Sequence, residues 1–246
     1  VRDIGFVRFP DGATVAVSLS FDDARASQLD GVRILDEHGI RATFYVLPSG
    51  VEEAPDGWRT VSSSGHEIGN HTRTHPCSGN YDFAMNNALE GKTLADIAEE
   101  IDSANTAIED LLRVRAATFA YPCGQAFVGR GRDRRSYVPL VAERFVAGRG
   151  YGTEIGNVPE RCDLAHLAAF PIDGTDAATM ESIVDNGIGR GEWVIMAGHD
   201  IGVQAPQTVL ARELDQFCRT LVRDDRIWVA PVADVAAYLV ANREQA

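Results

Sequence analysis

TVAVSLSFDDARASQLDGVRILDEHGIRATFYVL, residues 14–47, contains one complete strand–helix–strand unit. Residues 14–20 form an apolar, β-rich run, 27–38 read as a helix, and 42–47 are again apolar and β-rich. The pattern repeats outward from there. Further strands are expected at 66–70, 117–121, 145–149, 169–173, 193–198 and 227–231. Helices are expected at 93–112, 136–144, 177–187, 206–223 and 232–243. Over 93–112, Leu94, Ile97, Ile101, Ala104, Ile108, Leu111 and Leu112 recur at three- and four-residue steps, the period of a helix with one buried face. Thr93 followed by Asp96 reads as a capping-box variant at its start. Strands alternating with helices imply βαβ units and a parallel sheet. Seven or eight such units favour a barrel over an open sheet, with chemistry at the C-terminal strand ends.

The bulk composition narrows the partners. The 246 residues carry 23 basic and 36 acidic side chains, a formal net charge of −13, which disfavours nucleic acid and anionic membranes. No apolar run is long enough for a membrane span, and no internal repeat or linker divides the chain, so residues 1–246 read as one domain. The chain begins at Val1, as expected of a processed or trimmed N-terminus, so a lost export signal stays open. Cys77, Cys123, Cys162 and Cys218 form no C-x-x-C pair, and a core of this size needs no staples, so they are expected to be mostly free.

Polar residues sit where the apolar runs stop. SFDD (20–23) ends the first strand in two carboxylates, Asp22 and Asp23. Like charges at that spacing raise each other's pKa, a cost that a bound cation removes. GHEIGNHTRTHP (65–76) places His71 and His75 four residues apart, and imidazole suits zinc and similar divalent ions. Two histidines and one acid leave positions open on the ion, as a catalytic site requires. WVIMAGHDIG (193–202) ends in His199, a candidate general acid. In FAYPCGQ (119–125), Pro122 and Gly124 mark a tight turn whose backbone N–H groups are placed to meet a developing oxyanion. The Gly/Arg-rich stretch 124–135 is expected to overhang the same face, with Arg130, Arg132 and Arg135 reaching substrate.

The order SFDD, GHEIGNHTRTHP, F-x-x-P-x-G and an apolar strand ending in histidine resembles the NodB homology domain of the polysaccharide deacetylases, carbohydrate esterase family 4, from about Ala13 to Tyr238. The resemblance implies a distorted barrel of seven or eight strands and hydrolysis of acetyl groups on an oligo- or polysaccharide, as N-acetyl amide or O-acetyl ester. It implies one divalent ion on Asp23, His71 and His75, zinc first, with Co2+, Ni2+ or Mn2+ as alternatives. Asp22 would be the general base, Cys123 the oxyanion N–H, His199 the general acid and Asp176 its orienting partner, with Asp173 as a substitute. The resemblance favours export or the cell envelope and leaves oligomeric state open. Two positions depart from the family pattern: Ala120 stands where an arginine orients the base, and Ala177 where a tryptophan walls the acetyl pocket. Arg25, Arg130 or Arg132 would then have to supply the guanidinium. A cyclic-amide hydrolase on this scaffold and a non-catalytic carbohydrate binder are the competing readings. Retention of the three ligands argues against the first, and retention of Asp22 and His199 against the second.

Overall fold

The structure, a computed structural model, describes residues 8–243. Its main sheet comprises β1 (Val15–Asp22), β2 (Thr43–Val46), β3 (Glu67–Asn70), β4 (Thr118–Ala120), β5 (Ala147–Arg149), β6 (Phe170–Pro171), β7 (Trp193–Gly198) and β8 (Ile227–Val229). All eight lie within a residue or two of the stretches expected from the sequence. The strand order is β5-β4-β3-β2-β1-β7-β6, every pairing is parallel, and β8 joins β1. The two neighbours share one edge of β1: β8 pairs Val15–Val17, and β2 pairs Ser20–Asp22. The curled sheet nearly meets itself, because Arg149 of β5 bridges Leu167, three residues before β6 begins.

The helices are α1 (Ala26–Glu37), α2 (Pro48–Glu53), α3 (Pro55–Ser63), α4 (Leu94–Leu112), α5 (Val138–Ala142), α6 (Ala177–Arg190), α7 (Ala211–Leu221) and α8 (Val232–Asn242). The expected capping box is present, with the Thr93 hydroxyl accepting from the Asp96 N–H and the Asp96 carboxylate accepting from the Thr93 N–H. The helix expected at 206–223 is shorter, since Thr208–Leu210 instead pairs with Asp200–Gly202 in a two-stranded ribbon. The helices α2 and α3 fall in a stretch where none was expected. Each starts on a proline at its first turn, where the missing N–H costs nothing. No helix among the described residues is long and apolar enough to cross a membrane.

Strand alternation aims the polar ends. Val15, Val17, Leu19 and Phe21 of β1 pack into one hydrophobic cluster, and Ala16 on the opposite face belongs to a second. Ser18, Ser20 and Asp22 follow Ala16 at steps of two, so they share its face. In β7, Trp193, Ile195 and Ala197 line that second cluster, as does Ala147 in β5. The same two-residue step carries their polarity on to His199 and Arg149. The face that holds Ala16, Trp193 and α8 at one end of the sheet therefore presents titratable groups at the C-terminal strand ends.

Candidate metal and catalytic site

A cavity of about 500 Å³ opens at the C-terminal ends of the strands, lined by Asp22, Asp23, Arg25, Leu47, His71, His75, Tyr81, Phe83, Cys123, Tyr151, His199 and Gln207. Six of the seven residues singled out from the sequence line it, and Asp176 does not. Asp23 follows β1 in a left-handed backbone conformation (φ 80°), and its N–H donates to the Tyr45 carbonyl. His75 and Cys123 are also left-handed, at φ 54° and 53°. Such conformations cost energy in non-glycine residues and gather at functional sites. Gly124 (φ 67°) completes the Cys123 turn, where a Cβ would lie 2.8 Å from the Tyr151 backbone, so only glycine fits.

Asp23, His71 and His75 form one cluster. Asp23 Oδ1 lies 3.5 Å from His71 Nε2 and 3.7 Å from His75 Nε2. His71 Nδ1 donates to the Ala120 carbonyl at 2.9 Å, which leaves Nε2 as the lone-pair nitrogen facing Asp23. Burial, then the neighbouring His71, push the His75 imidazole down to about 4, so it stays neutral, the form that ligates. Burial raises the Asp23 carboxyl, but the two imidazoles and the Arg25 hydrogen bond outweigh it and hold it below its ordinary value. Asp23 Oδ1 is buried and accepts no hydrogen bond. A buried acceptor without a donor is costly. One oxygen and two nitrogens converging without protons between them are a donor set that fits a divalent cation.

Asp22 and His199 line the same cavity, each held by a partner that differs from expectation. Asp22 is buried and accepts from Nη2 of Arg149, whose Nη1 donates to the Gly150 carbonyl at 2.9 Å. Arg149 is fully buried over the Tyr45 ring, with its guanidinium carbon 4.9 Å from the ring centre. Arg25, Arg130 and Arg132 do not fill this role. Arg25 turns to Asp23 Oδ2 at 2.8 Å and to Asp200 at 2.7 Å. Arg130 donates to the Glu90 carbonyl. The 124–135 stretch folds into a short ribbon, Phe127–Val128 with Arg135–Ser136, and only Cys123, just before it, lines the cavity. Arg130 and Arg134 border a separate groove with Ser78, Glu90 and His166, because the ribbon turns back toward 89–91.

The partner of His199 is Asp173. Its Oδ2 lies 2.6 Å from His199 Nδ1, and its Oδ1 accepts from the His199 N–H at 3.0 Å. The expected partner, Asp176, instead caps α6 through the Thr179 N–H at 2.8 Å. An N-cap side chain must fold back onto its own helix, so it cannot also reach the strand end. Burial alone would lower the His199 imidazole, but the Asp173 hydrogen bond and the nearby Asp22 charge outweigh it and hold it above its ordinary value. Ala177 is buried in the first turn of α6 and is not part of the cavity wall. Tyr151 stands there instead, edge-on to His199 with ring centres 5.6 Å apart. Burial and the Asp173 charge push the Tyr151 phenol up to about 12, so it remains a donor at neutral pH.

The cysteines also depart from expectation. Cys77 and Cys123 form a disulfide, while Cys162 and Cys218 are free. The bridge joins the loop two residues after His75 to the turn after β4, with Cys77 Sγ 3.7 Å from His75 Nδ1. The N–H of Cys123 meets no acceptor among the described residues. Sequence reasoning missed Arg149, Tyr151, Tyr81 and Phe83. For Tyr81 and Phe83 there was a signal: two aromatic residues in the polar stretch that follows the histidine pair.

Fold and cleft together define a curled parallel α/β barrel with an Asp–His–His cluster on its C-terminal rim. The family model for polysaccharide deacetylases matches residues 11–131, the part that supplies Asp22, Asp23, His71, His75 and Cys123. A chitooligosaccharide deacetylase of Rhizobium leguminosarum bv. trifolii is 42% identical over 62 residues, 24% of this chain and 29% of that protein. A gellan lyase of a Bacillus species is 28% identical over 93% of this chain, but over only 9% of its own length. The chain thus covers less than a third of either relative. Its fold matches a crystal structure of a candidate polysaccharide deacetylase from Mycobacterium smegmatis with a TM-score of 0.71 and 18% identity, covering 97% of this chain and 94% of that one. The chain is thus similar to polysaccharide deacetylases through residues 11–131, and its fold is the one seen in that solved structure.

Proposed function

We propose that this protein is a metal-dependent hydrolase that removes acetyl groups from an acetylated oligo- or polysaccharide. The observation that carries the reading is the convergence on one cavity of a prospective base, Asp22, and a prospective acid, His199, beside the proton-free Asp23–His71–His75 cluster. A non-catalytic binder has no use for an arginine-held carboxylate and an aspartate-held imidazole in the same cleft. A divalent ion on Asp23, His71 and His75, zinc by preference, would supply the positive charge that polarises an acetyl carbonyl and acidifies water.

The chain's own groups do the rest. Asp22, fixed by Arg149, takes a proton from the attacking water as the C–O bond to the acetyl carbon forms. The Cys123 N–H, free of other acceptors, donates to the oxygen that gains negative charge. His199, protonated and held by Asp173, gives its proton to the leaving nitrogen or oxygen as the bond to the acetyl carbon breaks. The products are acetate and a free amine or hydroxyl. Tyr151 narrows the acetyl end of the cavity.

Acetate release from N-acetylglucosamine oligomers and from O-acetylated xylo-oligosaccharides, with and without chelator, tests this reading. We expect release from one of the two classes, abolished by chelator and restored by zinc. We also expect about one divalent ion per chain, lost in the His71→Ala/His75→Ala variant. Full metal occupancy in that variant, or acetate release indifferent to chelator, would refute the assignment.

A further inference from the structure

The Gly/Arg-rich ribbon lies outside the catalytic cavity and carries charge of the opposite sign to the rest of the chain. Residues 129–135 hold four arginines and one aspartate, in a protein whose net charge is −13. All four arginines are exposed, and among the described residues their contacts are with neutral groups. Arg130 Nε donates to the Glu90 carbonyl at 3.3 Å, and Arg135 Nη1 to the carbonyls of Arg132 and Arg134 at 2.8 and 2.9 Å. The Arg134 guanidinium carbon lies 4.1 Å from the centre of the Phe127 ring. By contrast, Arg144 is held by Asp102 and Arg226 by Asp224. Like charges gathered without counter-charges repel one another, and an anion settling among them relieves that cost.

The ribbon holds the arginines in place. Phe127–Val128 pairs with Arg135–Ser136, the Gly129 N–H donates to the Leu89 carbonyl at 3.0 Å, and the Tyr137 N–H to the Ala126 carbonyl at 3.0 Å. Gly129 has φ 75°, and a Cβ there would lie 2.7 Å from the Asp133 carbonyl oxygen, so the turn that crowds the arginines needs glycine. Val128 and Tyr137 anchor the base of the ribbon in the interior. Donors fixed in this way bind at a lower ordering cost.

The groove that Arg130 and Arg134 border has a volume of about 650 Å³, within the range of ligand sites. His166 adds a third nitrogen-bearing side chain, and Leu89, Ala126 and Phe127 add apolar surface. The groove adjoins the cavity. Cys123 lines the cavity, while Gly124, next in the chain, and Ser78, next to Cys77, line the groove. The two loops joined by the Cys77–Cys123 bridge therefore serve both.

Guanidinium groups pair with carboxylates through parallel N–H donors. Apolar surface beside them suits the C–H face of a sugar ring that carries such a carboxylate. Glu90 narrows the choice of anion. Its carboxylate also lines the groove, and the Ser78 hydroxyl and the Gly79 N–H hold it ionised, below its ordinary value. It repels a doubly charged phosphate more than a singly charged carboxylate.

We propose that this groove is a docking site for the carboxylate-bearing sugar units of an acidic polysaccharide, outside the cavity that holds Asp22, Asp23, His71, His75 and His199. The choice of a sugar polymer rests on the deacetylase reading, and the choice of a carboxylate rests on the groove itself.

Calorimetric titration with an unacetylated hexamer of galacturonic acid reads the groove without turnover. The wild-type protein should bind it at low salt and release it as salt rises. Arg130→Gln/Arg134→Gln should weaken binding by about 3- to 30-fold, the combined worth of two exposed ion pairs. Arg33→Gln/Arg223→Gln removes the same charge from exposed positions in α1 and just after α7, and should bind as the wild type does. The neutral hexamer of xylose should bind more weakly than the acidic one. No binding of the acidic hexamer at low salt, equal weakening in both variants, or equal binding of the neutral hexamer overturns the proposal. Tighter binding of a glutamate hexamer or of an inorganic polyphosphate of similar length also overturns it, and assigns the groove to a peptide or a phosphate polymer. Because no acetyl group is cleaved, none of these outcomes touches the deacetylase reading, which acetate release decides separately.

Discussion

Arg149 stands directly beside Ala120 in the parallel pairing of β5 with β4, and its guanidinium reaches across to Asp22. Residues side by side in register project from the same face of a sheet. The arginine that the family pattern places on β4 has its counterpart one strand over, at the same level of the barrel.

That relationship makes a testable prediction. Asp22 is almost wholly buried, so Arg149→Ala leaves a buried carboxylate without its cation, a change that costs about 3–5 kcal/mol. A mispositioned or neutralised Asp22 cannot act as base, so kcat should fall by about two to three orders of magnitude. Moving the guanidinium back should rescue it: Ala120→Arg/Arg149→Ala should recover a substantial part of both kcat and thermal stability. Wild-type kcat in Arg149→Ala would remove the arginine from the mechanism. A double variant no better than the single would show that the two positions are not interchangeable.

The same pair illustrates how far the sequence could be read. All eight strands were legible from the alternation of short β-rich runs with helix-like stretches, although Glu67–Asn70 and Ala147–Arg149 are not continuously apolar. That Asp22, Asp23, His71, His75 and His199 would line one cavity was legible because each stands at or just beyond the C-terminal end of a strand. Arg149 was not, since strand register is a long-range property and Ala147–Arg149 gives no local sign of what its neighbour lacks. The choice of Asp176 over Asp173 failed for a related reason. Both acids lie between β6 and α6, and only the helix start decides which one is consumed as a cap. The disulfide joins two loops 46 residues apart that meet only because β3 and β4 are neighbours. Helices α2 and α3 were legible in principle from Pro48 and Pro55, which open them.

His199 and Asp173 set a pH dependence with a definite sign. As the proposed general acid, His199 would work protonated, so activity is expected below its folded-state pKa and lost above it. Because that pKa is raised above 6.5, the alkaline limb of kcat should lie above the range of a free imidazole. Asp173→Asn removes the main counterweight to burial and should move that limb to lower pH, with a larger loss at pH 8 than at pH 6. Stability follows the same linkage. The His199–Asp173 pair contributes fully below the unfolded pKa of about 6.5, and that contribution fades as pH rises through the raised folded value. Asp176→Ala should lower the melting temperature through the lost α6 cap and leave the pH profile where it was. A profile that moves with Asp176 and not with Asp173 would reverse the assignment.

The Cys77–Cys123 bridge joins the segment after His75 to the turn that presents the Cys123 N–H, so it ought to act on stability and on chemistry separately. Closing a loop across 46 residues is worth about 4 kcal/mol in the chain-entropy account. Cys77→Ser/Cys123→Ser, or reduction of the native protein, should therefore lower the melting temperature by several degrees. Positioning is a second matter. His75 sits two residues from the bridge in a left-handed conformation that the surrounding loop must hold. Loss of support around a metal ligand commonly weakens metal binding by about 10- to 100-fold. We expect reduced protein, assayed well below its melting temperature, to bind zinc at least about tenfold more weakly and to lose kcat at saturating zinc, because the Cys123 turn is no longer fixed. Competition with a chelator of known affinity measures the first effect, and steady-state kinetics at fixed free zinc the second. A reduced enzyme with unaltered zinc affinity and unaltered kcat, but a lower melting temperature, would limit the bridge to stability.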